Sequence, residues 1–245
     1  MSDLATVQAC EERLVNVWPA LQTIVMGDWV LRFAQGYSGR ANSASAIRIG
    51  ADLCEADLDH VMRLYRAEGL APAIRVTPLS PPDLGARLLA TGWRPVVTSI
   101  GMVAPAGMWR AHPAVSIQSQ AGTAWVQGVS RWQEARKSNP DHLSAILKQL
   151  RLPSAFATVA GEGQEAGYGM SVVDRGMAEI GSIMLAPDQR GRGLGRALVE
   201  ALLCWAVQHG AGRVFLQVEE NNVVAIGLYR SLGFQEVYRY TEYRL

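Results

Sequence analysis

The chain is poor in the features that would assign it to several large classes. It has three cysteines in 245 residues, Cys10, Cys54 and Cys204. An odd number without paired metal-ligand spacing argues against a disulfide framework and against a metal centre, and it fits reduced thiols in a cytoplasmic protein. No apolar run approaches the roughly 20 residues that span a bilayer, so no membrane segment is expected. The N-terminus carries Asp3, Glu11 and Glu12 and lacks the basic start and hydrophobic core of a secretory leader. Excess charge is missing too, because 23 Lys plus Arg against 22 Asp plus Glu leave a net charge of +1. That balance offers no general attraction to nucleic acid or to an anionic membrane. Apolar residues, by contrast, are plentiful: 49% of the chain is hydrophobic, enough for one large domain or two small ones with proper cores.

The basic charge that exists is concentrated in residues 183–197, IMLAPDQRGRGLGRA, where a strand meets a helix. Gly191, Gly193 and Gly195 remove side chains from the connection, so backbone N–H groups can approach an anion, and the following helix points its positive end there. Arg190, Arg192 and Arg196 add full charges. Leu194, Leu198, Ala201, Leu202 and Trp205 recur at helical spacing, and Gly210 stands where a helix stop belongs. The bland alternative is a glycine-rich surface loop with solvated arginines. A P-loop would need Lys and Ser or Thr after Gly195, but Arg196 and Ala197 follow. A dinucleotide fingerprint started at Gly191 would need glycine where Arg196 stands.

The pattern that fits is R-x-x-G-x-G, running Arg190, Gly193, Gly195 after a strand that ends near Pro187. It resembles the acyl-CoA motif of the GNAT superfamily of N-acyltransferases. A second stretch, residues 222–234, NVVAIGLYRSLGF, is similar to the superfamily's N-x-x-A-x-x-L-Y-x-x-x-G-F through Asn222, Ala225, Leu228, Tyr229, Gly233 and Phe234. The two stretches occur in the family's order with a strand between them, and the resemblance covers about residue 115 to the end. It implies an α/β (α+β) fold, the GNAT fold, with a mixed and largely antiparallel twisted sheet flanked by helices.

In chain order, the patterns predict a helix over about residues 1–27 interrupted near Pro19, strands at 29–34 and 46–49, a turn-rich segment at 36–43, and a helix at 52–68. A strand at 73–77, a helix at 83–90 and a strand at 94–103 follow, with a linker at 104–113. Beyond it come a strand at 115–118, helices at 123–132 and 141–150, strands at 155–160, 166–173 and 178–185, and a last strand at 236–245. Gly69 precedes a strand as Gly210 does, and Gly92 closes a helix as Gly233 does, each pair 141 residues apart. The same offset sets Gly50 on Gly191 but Asp52 on Gly193, Glu55 on Arg196 and Leu88 on Tyr229. Two GNAT-like units in tandem are therefore expected: residues 1–108 degenerate and unable to bind CoA, and residues 109–245 carrying the N-acetyltransferase site. Chance similarity of two α/β segments is the alternative.

Carried over by resemblance, the backbone of Ile183, Met184 and Leu185 would hold pantetheine and the thioester oxygen. Arg190, Gly191, Arg192, Gly193, Leu194, Gly195 and Arg196 would hold pyrophosphate. Asn222 would contact the cofactor or merely cap its helix. Tyr229 would protonate the leaving thiolate, or be a packed aromatic; a phenol stays protonated at neutral pH. The acceptor amine must lose a proton, and Gln217, standing where many relatives carry glutamate, cannot take it. Glu179 is the first choice for that base and Glu219 the second. Arg40 and Asn42, in a segment at 31–43, are expected either to reach an acceptor pocket or to knit a domain interface. The resemblance thus implies acetyl-CoA as cosubstrate, no metal, and direct acetyl transfer to a primary amine of a small molecule, peptide or protein, in a monomer or homodimer. A non-catalytic acyl-CoA sensor is the alternative.

Overall fold

A computed structural model describes residues 3–132, 139–162 and 164–245; the first two residues of the expected N-terminal helix lie outside them. The elements run α1 (Leu4–Val17), β1 (Gln22–Met26), β2 (Trp29–Phe33), β3 (Ala44–Ala46), α2 (Glu55–Ala67), β4 (Ala73–Val76), α3 (Leu84–Ala90) and β5 (Arg94–Pro105). They continue β6 (Val115–Gln118), α4 (Thr123–Trp132), α5 (Pro140–Leu147), β7 (Ser154–Ala160), β8 (Glu165–Asp174), β9 (Met177–Leu185), α6 (Leu194–Gln208), β10 (Arg213–Glu219), α7 (Val223–Ser231) and β11 (Gln235–Arg244). The chain forms two compact units. The first holds residues up to Met102 with Gln217–Ile226 and Glu236–Leu245, and the second holds Val103–Leu216 with Gly227–Gln235. Among the described residues no helix is long and apolar enough to cross a membrane.

In the first unit the strand order is β1-β2-β3-β4-β11-β5. The predicted helix over 1–27 is corrected: it ends at Val17, and Gln22–Met26 is a strand hairpinned onto β2 from Gln22↔Phe33 to Met26↔Trp29. Pro19 stops the helix, and the β-branched run Thr23, Ile24, Val25 suits an edge strand whose side chains remain largely exposed. The strand expected at 46–49 lies at Ala44–Ala46, and the expected linker at 104–113 begins inside β5. The apolar stripe of α1, Val7, Cys10, Leu14 and Val17, is buried. Glu11 enters the same interior, where it meets Arg75 and is joined by Gln217 and Tyr238. β11 pairs antiparallel with β4, from Ala73↔Arg244 to Val76↔Thr241.

In the second unit the order is β10-β9-β8-β7-β6, with β6 to β9 antiparallel and β9 and β10 parallel across α6. Leu198, Leu202 and Ala206 bury one side of α6. Cys204 on this helix is half-buried, whereas Cys10 in the first unit is buried. Trp125 of α4 donates from its indole to the Ala157 carbonyl at 3.1 Å, which anchors the helix to β7.

Candidate functional site

In the second unit the pairing of two parallel strands stops short of their ends. β9 and β10 pair from Arg213↔Met177 to Phe215↔Glu179 and no further, although β9 continues to Leu185. The cause is local. Along β8 the register passes from Tyr168↔Met184 to Met170↔Gly181, so Ser182 and Ile183 together face Gly169. This is a bulge, and Ser182 takes a left-handed φ of +53° within it. A bulge bends its strand, and residues 181–185 are half-buried where 177–180 are buried. Ile183, Met184 and Leu185 thus lie along a strand edge that β10 leaves unpaired.

From Leu185 the chain enters a single 3-10 turn, Pro187–Gln189, and then the glycine turn. Gly191 and Gly193 have φ of +74° and +79°, a region that favours glycine, and Gly193 is the N-cap of α6. A Cβ at either position would meet nothing within 4 Å, so the space above the turn is open. Gly195 differs: its Cβ would lie 3.2 Å from Leu185 and 3.7 Å from Leu228, so its small size lets α6 approach β9 and α7. No side chain caps α6 and its first turn holds no acidic residue, which leaves its N–H groups and dipole for an anion. These features fit a pyrophosphate, and the half-exposed strand edge fits an extended pantetheine arm.

The arginines divide by partner. Arg190 is exposed on the turn. Arg192 reaches Glu162 at 3.2 Å, a largely solvated pair. Arg196 bonds Glu200 at 3.0 Å and the Ser231 hydroxyl at 2.6 Å. The sequence reading missed Ser231 and Glu162, which carry no local signature; Glu200 was legible as the i+4 neighbour of Arg196.

Tyr229 and Glu179 come together in this unit. Tyr229 is buried, stands edge-on to Phe234 with centroids 5.9 Å apart, and has its phenol pushed up to about 12 by burial and then by the negative charge of Glu179. Glu179 is fully buried, at the last paired position of β9 and β10, and is flanked by Val172 on β8. Glu219, the second-choice base, is half-buried at the end of β10.

Other expected residues have structural partners. Asn222 accepts from the Ala225 N–H at 3.2 Å, as a helix cap does. Gln217 donates to Glu11 at 3.0 Å and to Tyr238 at 2.8 Å inside the first unit. Asn42 is buried: its Oδ1 accepts from Ala34 and Gly36, and its Nδ2 donates to the carbonyls of Tyr37 and Ser38. Those four bonds occupy the amide in organising its own loop, which corrects the expectation that it reaches an acceptor. Arg40 lies over the Trp18 ring, 5.3 Å from its centroid.

The chain's similarities agree with this geometry. A family model described as "Probable histone acetyltransferase Rv0428c C-terminal" matches residues 4–243. The chain is 26% identical over 235 residues to "Uncharacterized N-acetyltransferase YobR" of Bacillus subtilis (strain 168), an alignment that covers 92% of this chain and 94% of that protein. Among solved structures it resembles a GCN5-related N-acetyltransferase from Kribbella flavida, with TM-score 0.73 and 16% identity over 100% of this chain and 96% of that one. It also resembles a tandem GNAT protein from the clavulanic acid biosynthesis pathway, with TM-score 0.62 and 19% identity over 78% of this chain and 68% of that one. At these identities the structural likeness speaks to fold.

Proposed function

The chain belongs to the GNAT N-acetyltransferase family described as "Probable histone acetyltransferase Rv0428c C-terminal", and we propose that it transfers an acetyl group from acetyl-CoA directly to a primary amine of a small molecule, peptide or protein. The observation that carries this reading is the parting of β9 from β10 after Glu179, directly before an uncapped, arginine-bearing glycine turn. The backbone of residues 183–185 would hold pantetheine, and the amides of residues 191–195 with Arg190 and Arg192 would hold pyrophosphate. Bound acetyl-CoA supplies an activated acetyl thioester. Glu179 accepts the proton that the ammonium form of the acceptor must lose before its nitrogen attacks. An N–H near Leu185 donates to the oxygen on which negative charge develops. Tyr229 gives its proton to the departing sulfur, for which burial keeps it ready.

The same reading makes residues 1–108 a degenerate GNAT-like unit and 109–245 the catalytic one. The order β1-β2-β3-α2-β4-α3-β5 repeats as β7-β8-β9-α6-β10-α7-β11, and β3 and β4 are parallel as β9 and β10 are. Gly50, Gly69 and Gly92 share positive φ with Gly191, Gly210 and Gly233 at the 141-residue offset. The first unit closes its helix end on itself: α2 has Glu55 and Asp57 in its first turn and a capping box between Cys54 and Asp57. One donor site per chain follows.

Calorimetric titration with acetyl-CoA and with NADH, then thiol release against polyamines, amino sugars and lysine peptides, tests the proposal. One acetyl-CoA site, no NADH binding and release of thiol with an amine are expected. No acetyl-CoA binding would sink the donor site, and two sites would sink the degenerate first unit.

A further inference from the structure

We infer that Arg196 and Ser231 are positioning residues that tie the phosphate turn to the helix carrying Tyr229, an inference that rests on the reading of that turn as the donor site. Arg196 sits in the first turn of α6, where the helix's own positive end disfavours a cation. Its guanidinium is turned away from that end. Nη1 donates to Glu200, one turn along, at 3.0 Å, and Nη2 crosses to the Ser231 hydroxyl at 2.6 Å. Ser231 is the last residue of α7, and its hydroxyl in turn donates to the Leu228 carbonyl at 2.6 Å. The cation therefore rests at the negative end of α7, a favourable place for it.

The same two helices also approach closely at a glycine, independently of these hydrogen bonds. A Cβ on Gly195 would lie 3.7 Å from Leu228 and 3.2 Å from Leu185, so α6, α7 and the end of β9 meet at one node. Tyr229 follows Leu228 directly, and its carbonyl accepts from the N–H groups of Leu232 and Phe234, both at 3.0 Å. On one side of the phenol Leu228 thus lies close to Gly195, and on the other Ser231 is hydrogen-bonded to Arg196, both in the first turn of α6. Drawing the α6 N-terminus onto a phosphate acts on the segment that aims Tyr229, and filling of the donor site is transmitted to the acid. Arg196, at first sight a third phosphate ligand, serves this link.

Hydrogen exchange of the full chain with and without coenzyme A, beside calorimetric affinity for coenzyme A, tests the inference. In the wild type, coenzyme A is expected to slow exchange at residues 193–198 and also at 228–234. Ser231→Ala is expected to keep coenzyme A affinity within about twofold, as a surface substitution outside the turn should. It should keep the protection at 193–198 and lose about tenfold of the protection at 228–234, roughly the worth of one hydrogen bond to a charged group. Ser231→Thr, which retains the hydroxyl, should restore it, a rescue that a purely steric role would not give. Arg196→Ala should match Ser231→Ala at 228–234 with affinity likewise kept. If Arg196→Ala weakens coenzyme A binding about tenfold or more, in the manner of a lost phosphate contact, while Ser231→Ala leaves 228–234 unchanged, the inference is overturned. Absence of protection at 193–198 in the wild type would instead overturn the donor-site reading beneath it.

Discussion

Glu11 and Arg75 form a two-pronged ion pair, Nη1 to Oε2 at 2.8 Å and Nη2 to Oε1 at 3.2 Å, with each side chain 1% exposed. Tyr238 donates to the same carboxylate at 2.5 Å and Gln217 at 3.0 Å. Breaking one side of a buried pair strands the other charge. Glu11→Ala is therefore expected to lower stability by about 3–5 kcal/mol in chemical denaturation, whereas replacing both residues by methionine should cost far less. Equal losses in the two variants would show that the charge itself is not what holds the unit.

Asn42 governs a loop in which Gln35 and Ser38 take left-handed φ of +53° and +60°. Its bonds to Ala34, Gly36, Tyr37 and Ser38, from 2.7 to 2.9 Å, hold those conformations. Asn42→Ala would leave buried backbone groups unpaired and release the loop, at a cost of about 2–4 kcal/mol. Thermal unfolding reads the loss, and a change below a few tenths of a kcal/mol would contradict the role.

Tyr229→Phe should lower kcat by about 10²-fold or more if the phenol is the general acid, with acetyl-CoA affinity unchanged. An acyl-CoA sensor would show no kinetic consequence. Because the folded phenol is held up to about 12 against an ordinary value of 10.0, Tyr229 stays protonated across the neutral range and contributes no alkaline limb there. The stability linkage has a definite sign. The unfolded chain releases this proton near 10 and the folded chain near 12, so the stabilisation is whole below pH 10 and is lost as pH rises toward 12. Tyr229→Phe should accordingly lose stability less steeply than the wild type between those values, as followed by denaturation at fixed pH.

Gly193→Val should strain the turn at φ +79° and fill space above it, and acetyl-CoA affinity should fall at least about tenfold. Gly50→Val, at φ +77° in the first unit, is the control. It should cost stability of the same order and leave acetyl-CoA affinity unchanged. Equal effects of the two on binding would contradict a single donor site.

The backbone of the candidate donor site was legible because its signals are local. Alternating glycines, a following amphipathic stripe and the spacing from Asn222 to Phe234 each specify backbone conformation over a few residues. The strand Gln22–Met26 was not legible in that way. Its residues continue the apolar pattern of α1, and although Pro19 breaks the helix, pairing with β2 is what makes the segment after it a strand. Ser231 was hidden for a related reason, since nothing near it in sequence announces a partner 35 residues away.

The sequence by itself determined the glycine turn and the 141-residue spacing of its left-handed glycines, and it named Tyr229 and Glu179 as candidates, because glycine positions and helical periodicity are written into neighbouring residues. The tertiary structure alone decided that β11 joins the first unit beside β4, that Glu11 meets Arg75 and Gln217, and that Arg196 turns to α7. Such choices depend on which distant side chains can share a buried space and satisfy one another's charges there. No window of sequence contains both partners.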